Sequence, residues 1–250
     1  MAPNESNARS VSDVLIELAS VGPPRLAYLR RAPAGLNRVR GTLLCLSASF
    51  NPMTTAHAGL IREASRVFSP GEVLLLLAVA NVDKAVTGLP LAARLELLRR
   101  FAESRPTTSV AVVGHGRFVD KMDAILPAYP ADTRLVFLLG FDTLVRLFDP
   151  KYYTHPAVAL ARVFEGSECA VANRDPEPQE AIDAFLARPD VAPFAHRIRV
   201  IRLSADLAAV SATDVRARLA QGEPVVGLVP PEIQAPLEAA WRCSHAPVAE

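Results

Sequence analysis

Cysteine is scarce in this sequence. Its three cysteines, Cys45, Cys169 and Cys243, stand far apart with no CxxC pairing. That excludes a disulfide framework and a cysteine-built zinc site, and it fits a reducing compartment. Long apolar runs are missing too: residues 73–80 form the longest, far too short to span a bilayer. Neither sign of charge dominates, with 27 basic side chains against 26 acidic ones and a net charge of +1. A protein that coats nucleic acid is therefore not expected. The opening stretch MAPNESNARS has no apolar signal core, so secretion is not indicated; the cytoplasm is the expected compartment, with the nucleus an alternative. The pattern GxxxxGKS/T is also absent, which disfavours ordinary P-loop hydrolysis.

What is present is a large store of apolar residues. Of 250 residues, 50% are hydrophobic and 21% charged, enough to bury a sizeable core. Residues 1–40 read as an N-terminal extension, partly disordered. Its first ten residues are small and polar, a short amphipathic helix is expected over 11–21, and Gly22-Pro23-Pro24 breaks it. Residues 25–40 alternate basic and apolar side chains, and their structure is left open. From residue 41 onward a single domain is expected. Strand-like apolar runs fall at 42–47, 73–80, 109–113, 134–139, 168–172 and 197–203. Helical spacing falls at 57–68, 91–104, 118–126, 143–148, 180–186, 211–220 and 232–242. Continuous apolar strands alternating with helices predict an α/β, doubly wound, Rossmann-like parallel sheet with helices on both faces. Ligands then bind beyond the carboxyl ends of the strands, so the polar residues after each strand carry the functional information.

Two such places stand out. Around residues 43–60 a buried strand runs into Ser49-Phe50-Asn51-Pro52-Met53-Thr54-Thr55-Ala56-His57 and then a helix. A strand–loop–helix unit turns the positive helix end outward as an anion site. Thr54 and His57 share one face of the first turn, and both side chains can donate to phosphate oxygens. A Thr N-cap followed by an incidental His is the plainer alternative. Near the other end, Val210-Ser211-Ala212-Thr213-Asp214-Val215-Arg216 follows a strand and opens a helix. Arg216 offers a planar fork suited to phosphate, and a capped helix with an exposed Arg is the plainer reading there.

The first segment resembles the signature of the HxGH/TxxH nucleotidylyltransferase superfamily, and most closely the nicotinamide mononucleotide adenylyltransferases, with their GSFNP-x-T-x-x-H. The second is similar to that family's ISSTxxR signature. Ala48, Ala56 and Ala212 replace small polar or Gly residues of the family patterns. The resemblance covers residues 42–240 and implies transfer of AMP from ATP to nicotinamide mononucleotide, giving NAD and pyrophosphate. It implies His57, Thr54, Lys84 and Arg216 as the residues acting on the phosphates. Ser49, Phe50, Asn51, Gly140, Asp142, Arg174, Ser211 and Thr213 would hold the nucleotide, with Mg2+ carried on ATP rather than in a protein metal site.

Some residues admit two uses. Asp142 would accept from ribose hydroxyls or cap the next helix, Arg94 would lie near the acceptor, and Phe118 would stack on a pyridine ring or pack in the core. The acceptor-stacking Trp of the family has no counterpart, since Trp241 lies near the C-terminus, and the block TLVRLFDPKYY at 143–153 marks a divergent branch. A cytidylyl or phosphopantetheine-type acceptor, or a nucleotide-binding regulatory protein that lacks catalysis, remain the alternatives. The oligomeric state is open.

Overall fold

The six apolar runs expected to be strands pair side by side, and a seventh strand joins them. The computed structural model describes residues 9–19, 23–36, 39–79, 88–173 and 179–245. Its strands are β1 (Leu26–Arg30), β2 (Thr42–Ser47), β3 (Glu72–Ala78), β4 (Thr108–Val113), β5 (Arg134–Gly140), β6 (Ser167–Ala172) and β7 (Ile198–Ile201). They form one sheet in the order β1-β4-β3-β2-β5-β6-β7. All neighbours are parallel except β1 and β4.

The helices are α1 (Val11–Ala19), α2 (Thr55–Phe68), α3 (Leu91–Glu103), α4 (Phe118–Ile125), α5 (Phe141–Leu147), α6 (Pro156–Gly166), α7 (Gln179–Leu186), α8 (Ala205–Ala208), α9 (Ala212–Ala220) and α10 (Pro231–Ser244). Among the described residues, none is long and apolar enough to cross a membrane.

The sheet is covered on both sides, which is why its strands are apolar throughout rather than alternating. Residues Leu44 and Leu46 face one core with Leu60 of α2, Leu95 of α3, Val215 of α9 and Leu237 of α10. Residues Leu43 and Cys45 face the other, with Met122 of α4, Leu144 of α5, Val163 of α6 and Ile182 of α7. The chain winds from β2 through β3 to β4, then crosses to β5 on the other flank of β2. The reversal between β2 and β5 is the switch point of a doubly wound sheet, where a crevice opens at the strand ends.

The differences from expectation have local causes. Residues 26–30, left open by the sequence, are an edge strand with Ala27 and Leu29 turned inward. Helix α1 starts at Val11, after Ser10 and Asp13 cap each other reciprocally at 3.1 and 3.2 Å; of the helix expected over 11–21, residues 20 and 21 lie outside the described residues. Helix α6 was not expected because Gly166 passes into β6 with no intervening turn.

Glu72 pins the lower edge of the sheet. Its carboxyl group is fully buried and accepts from the Leu36 amide at 2.7 Å, Ser109 Oγ at 2.6 Å and Tyr129 Oη at 2.7 Å. Burial first, then the charges of Tyr28 and Glu72, keep the Tyr129 phenol protonated and donating. Removing the acceptor strands three buried donors, each costly to leave unpaired. Glu72→Ala therefore costs about 3 kcal/mol of folding stability or more, read as a fall in the urea midpoint. An unchanged midpoint would refute this role.

Candidate active site

The chain leaves β2 at Ser47 and turns into α2 at Thr54. Phe50 takes a left-handed backbone conformation, φ +45°, a costly choice for a large side chain that its surroundings must hold in place. Its ring is buried and lies 5.5 Å from the His57 ring. Phe50 thus backs the histidine and does not line the cleft.

Thr54 and His57 form a reciprocal capping box. The Thr54 amide donates to His57 Nδ1 at 3.0 Å, and Thr54 Oγ1 lies 2.8 Å from the same nitrogen. An amide can only donate, so Nδ1 carries a lone pair and the ring proton sits on Nε2. His57 therefore presents a donor away from the cap. Thr54 is 1% exposed with its hydroxyl held against the ring. Its geometry is that of a residue that orients His57, rather than of the direct phosphate donor expected. The next residue ties this corner to the far end of the chain: Thr55 donates its amide to the Leu228 carbonyl at 2.9 Å and its hydroxyl to the Gly227 carbonyl at 3.0 Å.

Asn51 is the joint between the two signatures. Its side-chain Oδ1 accepts from the Leu89 amide at 3.0 Å, and its carbonyl accepts from Arg216 Nη1 at 2.6 Å. Arg216 also donates to the Ala212 carbonyl and to Thr213 Oγ1, both at 3.2 Å. Ser211 caps α9 through the Asp214 amide at 3.1 Å. Gly88 closes this joint. It has φ +109°, and a Cβ there would meet Arg216 Cδ at 2.7 Å and Asn51 Oδ1 at 2.8 Å. Only glycine suits both the backbone and the space. Behind the loop, the buried Arg94 donates Nη1 to the Ser49 carbonyl at 3.0 Å, and burial lowers its pKa.

These elements line a cleft of about 840 Å³ at the ends of β2, β3, β5 and β6, within the usual range for a small-molecule site. Of the expected residues, Ser49, Asn51, Thr54, His57, Gly140, Asp142, Ser211, Thr213 and Arg216 all line it. Lys84 and Arg174 lie outside the described residues. Asp142 sits in the first turn of α5 without capping it. Its Oδ1 fills the place of a Gly140 Cβ at 2.8 Å, and it is the one carboxylate among the lining residues. Against it stand five cations: Arg117, Lys121, Arg146, Lys151 and Arg216. A chain with a net charge of +1 thus gathers cations along the walls of this cleft.

Phe118 is a core residue. Its ring meets Phe137 edge-on at 5.1 Å, and the Lys121 ammonium lies over it, 4.4 Å from its centroid. The expected stacking face for a pyridine is therefore occupied by a cation. Tyr152 and Tyr153 also line the cleft wall, the Lys151 ammonium lying 4.8 Å from the Tyr152 ring centroid. Tyr153 is fixed by donating to the Leu147 carbonyl at 2.9 Å, and burial pushes its phenol up to about 12. Gly88, Lys121 and Tyr152 had no signal of their own in the sequence, although Tyr152 belongs to the unusual block at 143–153.

The chain is similar to several known proteins. A family model described as cytidylyltransferase-like matches residues 46–218. A putative nicotinamide mononucleotide adenylyltransferase of Schizosaccharomyces pombe is 35% identical over 115 residues, 45% of this chain and 45% of that protein. The chain thus spans less than half the length of that relative. A probable nicotinate-nucleotide adenylyltransferase of Bordetella petrii is 30% identical over 193 residues, 74% of this chain and 90% of the relative. In fold the chain is similar to the Plasmodium falciparum nicotinic acid mononucleotide adenylyltransferase complexed with NaAD, with a TM-score of 0.60 at 13% identity over 82% of this chain and 96% of that one.

Proposed function

The chain belongs to the cytidylyltransferase-like family, and from that footing we propose that it transfers AMP from ATP to a pyridine mononucleotide, forming the dinucleotide and pyrophosphate. Nicotinamide mononucleotide is the acceptor that the sequence resemblance names; its acid counterpart has the same ribose phosphate. The observation that carries this reading is the pairing of a donor-presenting His57 with an Arg216 fork bonded to Asn51 of the same loop.

In the reaction an oxygen of the acceptor phosphate forms a bond to the α-phosphorus. The bond from that phosphorus to the bridging oxygen breaks, and pyrophosphate leaves with its electron pair. An acceptor phosphate is already anionic at neutral pH, so no strong base is required; alignment and charge neutralisation are. His57 donates from Nε2 to the α-phosphate, Thr54 holds the tautomer, and Arg216 neutralises the phosphate charge. Ser211, Thr213 and Ser49 line the nucleotide's path beside Gly140 and Asp142. Lys84 and Arg174 keep the phosphate and nucleotide roles that the resemblance gives them. Among the described residues no group of three or more His, Cys, Asp or Glu side chains could hold a metal ion. Mg2+ would come in on the triphosphate, held mainly by substrate oxygens and water, and would neutralise part of its charge.

The test is pyrophosphate release across a panel of acceptors and nucleoside triphosphates. Release with a pyridine mononucleotide, and not with cytidylyl-type or phosphopantetheine-type substrates, is the expected result. Orthophosphate release without any acceptor would point to an ATPase, and nucleotide binding without release across the panel to a regulatory protein.

A further inference from the structure

Lys121 stands apart from the phosphate machinery. It belongs to α4, which packs on the sheet face opposite α2 and α9. The side chains assigned to the phosphates come from α2 and α9, so Lys121 approaches the cleft from the other wall. It is 7% exposed and lines the cleft. Among the described residues its ammonium has no hydrogen bond and no ion pair; its charge rests on the Phe118 ring at 4.4 Å. The adjacent carboxylate, Asp120, is taken up bidentately by Arg117 at 2.8 and 3.0 Å. Burial pushes the Lys121 ammonium down to about 8, against weak support from Cys45 and Asp120. It is still charged at neutral pH, and a buried cation without a counter-ion is costly to keep.

The surroundings say what would complete it. Tyr152 and Tyr153 line the same cleft, and Tyr153 lies close enough to Arg117 and Asp120 to feel their charges. A flat ring bearing an anion suits a wall of aromatic residues with one recessed cation. The acceptor's phosphate must meet the α-phosphorus beside His57 and Arg216, which leaves the base to extend toward the far wall.

We infer that Lys121 is the counter-ion for a carboxylate on the acceptor's base, so that this chain selects the acid form of the pyridine mononucleotide over its amide. The inference rests on the function proposed above. An amide would desolvate the same ammonium without neutralising it, and a site built for a polar partner penalises the analogue that lacks it.

The experiment measures pyrophosphate release by the full chain with ATP and either nicotinate or nicotinamide mononucleotide. Wild type is expected to favour the acid. Lys121→Met lowers kcat/KM for the acid by about 10- to 100-fold, changes the amide by less than about 3-fold, and leaves the KM for ATP unchanged. Lys121→Gln, which keeps length and polarity, shows the same change of ratio and serves if the Met variant does not fold. Equal losses on both acceptors, a raised KM for ATP or an unaltered acid-to-amide ratio would overturn the role of Lys121 while leaving pyridine mononucleotide transfer intact. A wild type inert toward both acceptors would overturn the proposed function itself, and this inference with it.

Discussion

His57→Ala lowers turnover by about 10²- to 10³-fold, the scale for losing one preorganised donor at a developing charge. The Thr54 amide at 3.0 Å occupies Nδ1 as an acceptor, so the ring N–H is on Nε2, on the side of the ring away from the cap. Alanine removes that donor while leaving the α2 N-cap to Thr54, so the fold should survive. The loss falls mainly on kcat, because the bond strengthens as charge moves on the α-phosphate. Steady-state kinetics with a circular dichroism control checks it. A folded variant with normal turnover would remove His57 from the chemistry.

Arg216→Lys costs about 10²-fold in kcat/KM. The guanidinium divides its donors between the Asn51 carbonyl at 2.6 Å and Thr213 Oγ1 at 3.2 Å, which fixes its plane beside the cleft. A lysine ammonium offers a point charge on a flexible stem and cannot hold the Asn51 carbonyl and aim at phosphate together. Gly88 against the arginine Cδ leaves little room for an alternative path. The expected signature is a weakened ATP interaction as well as slower turnover. Kinetics within a few-fold of wild type would show that the arginine only braces the loop.

Much of this was legible in the sequence, for identifiable reasons. The parallel strands announce themselves as unbroken apolar runs because both faces are buried, as in 72–78 and 108–113. His57 is visible because it follows a strand and opens a helix, whereas Arg216 is visible through the Ser211–Arg216 signature alone, since α8 stands between β7 and α9. Strand β1 was not legible, since a half-buried edge strand acquires its meaning only by pairing with β4. Gly88 reads as any loop glycine until Asn51 and Arg216 close around it. Lys121 reads as one more surface lysine, because Phe118, Val119 and Met122 around it give no hint that the helix turns its cation inward. The role of Thr54 was half legible: the cap was foreseeable, while its hold on the histidine tautomer required coordinates.

The bond from Arg216 to the Asn51 carbonyl joins residues 165 positions apart, and Thr55 leans on Leu228 from 173 positions away. During synthesis the ribosome delivers Asn51 and Thr55 more than 160 residues before their partners. A growing chain therefore carries a histidine with no arginine opposite and no support beneath its helix. The corner around Asn51 and Thr55 is therefore completed only once residues 216–228 have emerged to fold against it.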